Sequence, residues 1–179
     1  MQRPTETEYA PFYASYVALV PETDILGVLE QQVEEIQRLA GSLPAERESY
    51  RYAEGKWSIR QVLGHIIDGE RVFGYRAFSF SRGEQAALPS FDENQYVAGA
   101  RSDSIPLREL VEELALVRQG NLVVLRRLDA REWAQVGTAS GKPVSVRALA
   151  WVMAGHPRHH LKTLRERYGV SMMNSESGA

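Results

Sequence analysis

Histidine is scarce in this chain, and most of it is concentrated in one segment. Only 4 of the 179 residues are histidine, and three of them lie in AGHPRHHLKTL, residues 154–164. The remaining one, His65, lies far upstream in the segment VLGHIIDGE. Neutral imidazole is the commonest metal ligand in proteins. The clustering therefore leaves two alternatives, which are a metal site or three unrelated histidines.

The absence of cysteine narrows the chemistry further. With no cysteine in the chain, disulfides, thiolate metal ligands and a cysteine nucleophile are all excluded. Any metal must be bound by His, Asp, Glu or solvent. Three protein ligands and an open position are typical of catalytic zinc or a similar divalent ion, whereas structural zinc sites usually contain sulfur.

The spacing of the clustered histidines indicates which of them share a helix face. Residues on an α-helix advance by about 100°, so His156 and His160 lie about 40° apart, and His159 lies about 60° from His156 on the other side. The face of His156 and His160 also carries apolar residues, namely Leu149, Met153 and Leu164. We therefore expect both of these imidazoles to point into the core, and His159 to be partly or wholly dispensable for metal retention.

A third inward histidine is predicted on a different helix. His65 lies at the margin of a buried face whose centre is formed by Val62, Ile66 and Phe73. Bundle proteins build metal sites from side chains on facing helices, and inward histidines without a metal would need hydrogen-bond partners in apolar surroundings. The sequence therefore predicts that His65, His156 and His160 bind one divalent metal ion.

Four amphipathic segments must position these residues. Apolar residues at helical spacing predict helices over residues 23–40, 58–83, 104–129 and 145–168. Ser58 and Gln61 have the spacing of a capping box, Pro106 is expected in the first turn of the third helix, and Gly169 is expected to end the fourth. Short β-prone pieces flanking Ser140 favour a small hairpin. The predicted fold class is all-α, a four-helix bundle.

The rest of the chain sets the domain organisation and excludes some partners. We expect an irregular N-terminal arm over residues 1–20, one bundle over 21–170 and a disordered tail over 171–179. The chain has 21 basic and 23 acidic residues and a net charge of −2, which provides no long-range attraction to nucleic acid or an anionic membrane. No apolar run long enough to span a membrane and no signal-peptide pattern is present. The sequence predicts a cytoplasmic protein.

Three stretches carry a resemblance to a known family. YAEGKWSIRQVLGHIIDGERVFGYRA, LPSFDENQYV and SVRALAWVMAGHPRHHLKTLRERYG resemble the DinB/YfiT-like superfamily in wording and order, over about residues 25–170. The resemblance implies a four-helix bundle and a divalent metal, often nickel or zinc, on three histidines, which by position are His65, His156 and His160. It also implies relatives that transfer a low-molecular-weight thiol, and others related to thiol-dependent isomerases.

Pro157 departs from the family pattern, because relatives usually have an ordinary helix residue after the first ligand of this motif. Inside a helix, proline removes one backbone hydrogen bond and clashes with the preceding turn, which costs about 3 kcal/mol. Two alternatives follow. Either the helix kinks at Pro157, or it restarts near His156 with the proline in a first turn.

Other polar residues near the predicted site have two interpretations each. Asp68 either accepts the second N–H of His65 and fixes its tautomer or is a solvated acid. Arg76 either binds an anionic substrate group or forms a structural ion pair. Asp92 and Glu93 lie in a long connection, where they either help to cover the mouth of the bundle or are simply hydrated.

Three classes of function remain open on the sequence. The first is a metal-dependent enzyme acting on a small-molecule substrate, because a divalent metal lowers the pKa of a bound water or thiol. With no cysteine, any thiol must be a cosubstrate, and we predict a thiol S-transferase, with a metal-dependent hydrolase as the alternative. The second class is a non-catalytic stress protein that binds a metal or small ligand. The third is a homodimer held together by the metal.

Overall fold

The computed structural model describes residues 2–170, which form seven α-helices and one two-stranded antiparallel sheet. The elements are α1 (Ala14–Ala18), α2 (Ile25–Gly41), α3 (Ile59–Ser81), α4 (Glu93–Ala100), α5 (Leu107–Leu125), α6 (Ala130–Trp133), β1 (Val136–Ala139), β2 (Lys142–Ser145) and α7 (Val146–Tyr168). Short 3-10 turns occur at Glu6–Glu8, Pro11–Tyr13, Ala45–Arg47 and Ser102–Ser104.

The four long helices form the predicted bundle. Helices α2 and α3 each pack against both α5 and α7, so the order around the core is α2, α5, α3, α7. The predicted all-α four-helix bundle is therefore confirmed, with a small sheet added to it. None of the helices in the described part of the chain is long and apolar enough to cross a membrane.

The two helices that carry the histidines begin and end as their sequences predict. At the start of α3, Ser58 Oγ accepts the Gln61 N–H at 3.0 Å, and the Gln61 side chain accepts the Ser58 N–H at 3.1 Å. Helix α7 begins after Ser145, whose Oγ accepts the Ala148 N–H at 2.9 Å. It ends at Gly169, which has a left-handed φ of 64°. The two serine caps satisfy N–H groups that the first turn leaves without partners.

The third bundle helix is shorter than predicted. It begins at Leu107 with Pro106 as its N-cap residue, and it ends at Leu125, whereas the sequence predicted residues 104–129 with Pro106 in the first turn. A proline disfavours helical geometry in the residue before it, and Ile105 is accordingly extended, with φ −105° and ψ 127°. The helix therefore cannot include the residues before Pro106.

The N-terminal arm is more regular than predicted and is closely packed. It contains α1, which lies against α7, and a Cβ on Gly155 of α7 would lie 2.1 Å from the carbonyl oxygen of Tyr16. The glycine before His156 thus allows the arm to cross the helix that carries two histidines. The predicted tail, 171–179, lies outside the described residues, and the division into arm, bundle and tail stays a prediction.

The predicted hairpin is present between α6 and α7. Strands β1 and β2 pair from Val136 opposite Ser145 to Ala139 opposite Lys142. The two turn residues, Ser140 and Gly141, have φ values of 53° and 71°, the left-handed geometry that two-residue hairpin turns favour. The turn places Ser140 beside the cavity described below.

A buried ion pair joins all four bundle helices. The Arg118 guanidinium on α5 donates two hydrogen bonds of 2.8 Å to Glu70 on α3, and further bonds to the carbonyls of Leu29 on α2 (2.9 Å) and Met153 on α7 (3.2 Å). The Met153 carbonyl is the one that loses its helical donor because Pro157 has no N–H. Helix α7 runs through Pro157 without interruption, so a restart near His156 is wrong.

Candidate metal centre

Three imidazoles from two adjacent helices converge in the bundle. His65 projects from α3, and His156 and His160 project from successive turns of α7. The Nε2 atom of His156 lies 2.9 Å from Nε2 of His65 and 3.1 Å from Nε2 of His160. One nitrogen from each ring lies within 4.8 Å of the other two. The structure thus brings together the three histidines that the sequence predicted as ligands.

Hydrogen bonding alone cannot satisfy this arrangement. A ring nitrogen carries either one proton or one in-plane lone pair, yet Nε2 of His156 faces two other ring nitrogens. A cation can accept lone pairs from all three rings. Imidazole nitrogens bind zinc at about 2.0–2.1 Å, so nitrogens that lie 2.9–3.1 Å apart can reach one ion. The donor set and its spacing therefore fit a divalent metal.

Burial keeps these imidazoles neutral. Removal from water, with the nearby His159, lowers the pKa of His65 to about 4. Removal from water, followed by the effects of His65 and His159, lowers the pKa of His160 to about 3. Burial and the neighbouring histidines hold the pKa of His156 well below its ordinary value. A neutral imidazole is the form that binds a metal, so the ring nitrogens are available at pH 7.

The position of His156 depends on a glycine of the facing helix. A Cβ added to Gly69 on α3 would lie 2.6 Å from Cε1 and 2.9 Å from Nδ1 of His156. The rings of Tyr16 and Phe73 contact the same imidazole edge-on, with centroid distances of 5.5 and 5.6 Å. Helices α1 and α3 therefore enclose the central histidine of the cluster.

His159 lies outside the cluster of nitrogens. Its side chain is exposed, and its ring packs against Tyr16 and His160 at centroid distances of 5.5 and 5.1 Å. This is the arrangement expected from the helical spacing, in which His156 and His160 form the inward pair.

Asp68 does not accept a hydrogen bond from His65, which was one interpretation of the sequence. Oδ2 of Asp68 and Nδ1 of His65 are both buried, and neither has a hydrogen-bond partner within residues 2–170. Burial, together with nearby Glu113, raises the pKa of Asp68, and Arg71 acts in the opposite direction. Asp68 is half-buried, so it is not a freely solvated acid either.

A cavity of about 550 Å³ opens beside two of the histidines. This volume lies within the range of small-molecule sites, about 300–1,000 Å³. Its walls are largely aromatic and come from the arm, from α3 and from the connection before α4. They include Phe12, Tyr13, Tyr16, His65, Phe73, Arg76, Phe91, Glu93, Ser140 and His156. The sequence interpretation missed the three aromatic residues of the arm, for which the only signal was the aromatic density of YAPFYASY.

A second cavity, of about 270 Å³, reaches the histidine cluster from the side of His160. His159, Trp57 and Asn94 contribute to its walls. The ring of Trp57 also lies 4.9 Å from that of His65. The cluster therefore borders two cavities, one lined by His65 and His156 and the other by His160.

The acids of the second connection have separate roles. Oδ1 of Asp92 accepts the N–H groups of Asn94 and Gln95 at 2.9 and 3.0 Å, so Asp92 caps α4. Glu93 is 57% exposed, and its Oε2 lies 4.0 Å from Nε2 of His65. This distance is too long for a hydrogen bond, so the Glu93 carboxylate lies near the cluster without bonding to it.

Arg76 does not form the ion pair that was one interpretation of the sequence. Its guanidinium hydrogen bonds to neutral oxygens, those of Tyr13, Pro89 and Ser140. Within the described part of the chain, no carboxylate lies within 4.0 Å of it. The structural ion pair, one of the two interpretations of Arg76 from the sequence, is therefore wrong.

Known proteins share this sequence pattern and fold. The family model of the DinB superfamily matches residues 29–164. A protein from Oceanobacillus iheyensis, named "putative metal-dependent hydrolase", is 26% identical over 142 residues, which cover 76% of this chain and 79% of the relative.

Two solved structures are similar at low sequence identity. YfiT from Bacillus subtilis, described as "a probable metal-dependent hydrolase with an unusual four-helix bundle topology", superposes with a TM-score of 0.74 at 17% identity and covers 95% of both chains. A mycothiol-dependent maleylpyruvate isomerase superposes with a TM-score of 0.63 at 14% identity. That match covers 81% of this chain and 61% of the isomerase, so the chain spans less than two thirds of it. At these identities the similarity shows a common fold.

Proposed function

The chain belongs to the DinB superfamily, and from this premise we propose that it is a divalent-metal enzyme acting on a small molecule, with His65, His156 and His160 as metal ligands. The observation that carries the proposal is the convergence of three imidazole nitrogens, two from buried residues and one from a half-buried residue, beside a cavity of about 550 Å³. Nickel or zinc suits a site of three neutral imidazoles.

A divalent ion held there would lower the pKa of a coordinated water or thiol and so supply a nucleophile near pH 7. The protein contributes the surroundings. His65, His156 and His160 would hold the ion without neutralising its charge, and the aromatic walls would bind the apolar part of a substrate. Glu93, with its carboxylate 4.0 Å from His65 Nε2, is placed to take up the proton that the nucleophile releases.

The reaction that we favour is transfer of a low-molecular-weight thiol to an electrophile. Two cavities border the histidine cluster, which suits a reaction with two organic substrates. The chain has no cysteine, so its own sulfur cannot compete with the thiol cosubstrate. In this transfer a sulfur–carbon bond forms, the electrophile releases its leaving group or takes up a proton, and the thiol proton passes to Glu93. The isomerase of similar fold is named as dependent on a thiol.

Hydrolysis is the second candidate, supported by the names of the Oceanobacillus and Bacillus relatives and by the position of Glu93. Here water supplies the oxygen of the new bond to an acyl carbon, the bond to the departing amine or alcohol breaks, and the water proton passes through Glu93. The identity of the metal, a cytoplasmic location, a homodimer and a role in stress response all stay predictions.

Metal analysis paired with turnover assays tests the proposal. We expect the purified protein to bind one divalent ion per chain, and to couple a small thiol to an aryl halide in a reaction that chelator abolishes and nickel or zinc restores. His159→Ala is the matched control and should retain activity. If thiols neither alter the spectrum of the cobalt-substituted protein nor stimulate turnover, the transferase is wrong. Chelator-sensitive cleavage of a nitrophenyl ester would then support the hydrolase, and failure to bind metal would contradict both.

A further inference from the structure

Arg76 is a buried cation without a counter-ion. Arg76 is only 2% exposed. Nη1 donates to the Tyr13 hydroxyl at 3.1 Å, and Nη2 donates to the Pro89 carbonyl at 2.8 Å and to Ser140 Oγ at 3.1 Å. These bonds leave the Nε–H and one Nη1–H without an acceptor anywhere in residues 2–170. A buried charge that lacks a partner is costly to the fold.

Arg118, the other buried arginine of the bundle, has a structural role and a counter-ion. Arg118 is 1% exposed, and its guanidinium is neutralised by Glu70 through two hydrogen bonds of 2.8 Å. Arg76 is equally buried, but its neighbours are three neutral oxygens and the ring of Phe91, whose centroid lies 5.9 Å from Cζ. Its positive charge therefore remains available to a ligand.

Arg76 and the candidate metal centre face the same cavity. His65 and Arg76 are eleven residues apart on α3, which places them about 20° apart around the helix and about 16 Å apart along it. Both line the cavity of about 550 Å³, and Phe73 lies between them along the helix and lines it too. The cavity therefore has a histidine end, an aromatic middle and a cationic end.

The cationic end presents donors to whatever binds there. The hydroxyls of Tyr13 and Ser140 each accept a hydrogen bond from Arg76, and the proton of each hydroxyl has no other acceptor within the described chain. Both residues line the cavity. Two acids also line it, but neither pairs with Arg76, because Asp92 caps α4 and the carboxylate of Glu93 lies 4.0 Å from His65 at the other end. The end of the cavity around Arg76 thus offers four N–H or O–H donors and a positive charge.

We propose that Arg76, with the hydroxyls of Tyr13 and Ser140, binds a carboxylate of the substrate and so determines specificity for small organic acids with an apolar body. The Arg76 N–H groups and the two hydroxyl protons donate to the carboxylate oxygens, and the apolar body packs on Phe73 and Phe91. This inference rests on the proposed function, because the other end of such a substrate reaches the metal-binding histidines.

Calorimetric binding of phenylacetate and of its neutral isostere phenylacetamide tests the inference, with both chelator-treated and zinc-loaded protein. We expect the wild-type protein to bind the carboxylate at least about tenfold more tightly in both states, since hydrogen bonds to charged groups have this magnitude. Arg76→Gln should abolish the preference. Arg71→Gln is the matched control, because it removes the same charge from an exposed position on α3 and should leave the preference unchanged.

Two further variants keep the test decisive if Arg76→Gln fails to fold by circular dichroism. Tyr13→Phe and Ser140→Ala each remove one donor and keep the buried arginine, and each should weaken phenylacetate binding several-fold without affecting phenylacetamide. Equal affinities of the two ligands in the wild-type protein would overturn the inference, as would an unchanged preference in all three variants. A preference that appears only with zinc and is lost in His160→Ala would also overturn it, since the metal would then be the carboxylate site.

The two proposals fail in different ways. Loss of the carboxylate preference in a protein that still binds metal and shows chelator-sensitive turnover contradicts only the role of Arg76. A carboxylate preference in a protein that binds no metal contradicts only the proposed enzyme function.

Discussion

At the scale of single residues, the candidate site depends on one central imidazole. Nε2 of His156 lies 2.9 Å from that of His65 and 3.1 Å from that of His160, so His156 connects the candidate ligand of α3 to the second candidate ligand of α7. His159 is adjacent in sequence to His160 but exposed. The two α7 histidines that face inward are thus one helical turn apart, the separation at which side chains share a face.

Replacing each histidine by alanine should separate ligands from neighbours. We expect His65→Ala, His156→Ala and His160→Ala each to weaken metal binding by more than about 100-fold, beyond the loss seen when a residue that only supports a ligand is changed. His159→Ala should bind metal as the wild-type protein does. Bound metal per chain after dialysis, together with titration of the apoprotein, measures this. Equal loss in His159→Ala would show that the inward pair was chosen wrongly.

At the scale of elements, glycines set how closely the segments around the site approach each other. Gly155 of α7 lies against the backbone of Tyr16 in α1, and Gly69 of α3 lies against the ring of His156. In each case the neighbouring group occupies the space that a side chain at the glycine would need. Helix propensity disfavours glycine at both positions, so packing is the reason that glycine suits them.

Gly69→Ala should therefore damage the metal site without breaking a helix. The new Cβ would lie 2.6 Å from Cε1 of His156, so the imidazole must move, and we expect metal affinity to fall by about 10–100-fold, the range seen when the support of a ligand is lost. Gly120→Ala on α5 is the control, since a Cβ there meets nothing within 4 Å. The control should gain up to about 1 kcal/mol of stability and keep its metal affinity. Unchanged affinity in Gly69→Ala would contradict this account of how His156 is held.

At the scale of the whole molecule, a polar network crosses the core. Arg118 bonds to groups on α2, α3 and α7, and Asn121 donates a further bond of 2.8 Å to Glu70. Gln32 of α2 donates to the Ala154 carbonyl of α7 at 2.6 Å. This network supplies a donor to the carbonyl that Pro157 leaves without one, so the proline is accommodated by long-range contacts and the histidine helix continues past it.

Removing one charge from this network should be far more damaging than removing one from the surface. Glu70→Gln leaves the Arg118 charge buried without a counter-ion, and we expect a loss of about 3–5 kcal/mol in the free energy of unfolding. Glu113→Gln breaks the exposed Arg71–Glu113 pair, which joins the same two helices, and should cost less than about 1 kcal/mol. Urea unfolding measures both. The double variant Glu70→Gln with Arg118→Met should cost less than the sum of the two single changes, and strict additivity would refute the coupling.

The sequence by itself determined the features that depend on local spacing. Helical periodicity predicted α2, α3, α5 and α7. Ser58 predicted where α3 begins, and Gly169 predicted where α7 ends. The spacing of His156 and His160, with His65 on another buried face, predicted which imidazoles meet. The start of α5 was predicted wrongly, although a local rule gives it. Pro106 disfavours helical geometry in Ile105, so the helix cannot begin before the proline.

Only the tertiary structure decided which segments cover the site and which charges are paired. The docking of α1 on Gly155, the aromatic walls of the cavity, the pairing of Arg118 with Glu70 and the unpaired charge of Arg76 all join residues far apart in sequence. Periodicity shows that a face is buried but does not show against what, because the hydrophobic effect has no direction. The partner of a buried polar group is set by where the chain returns, and that is fixed only when the helices pack.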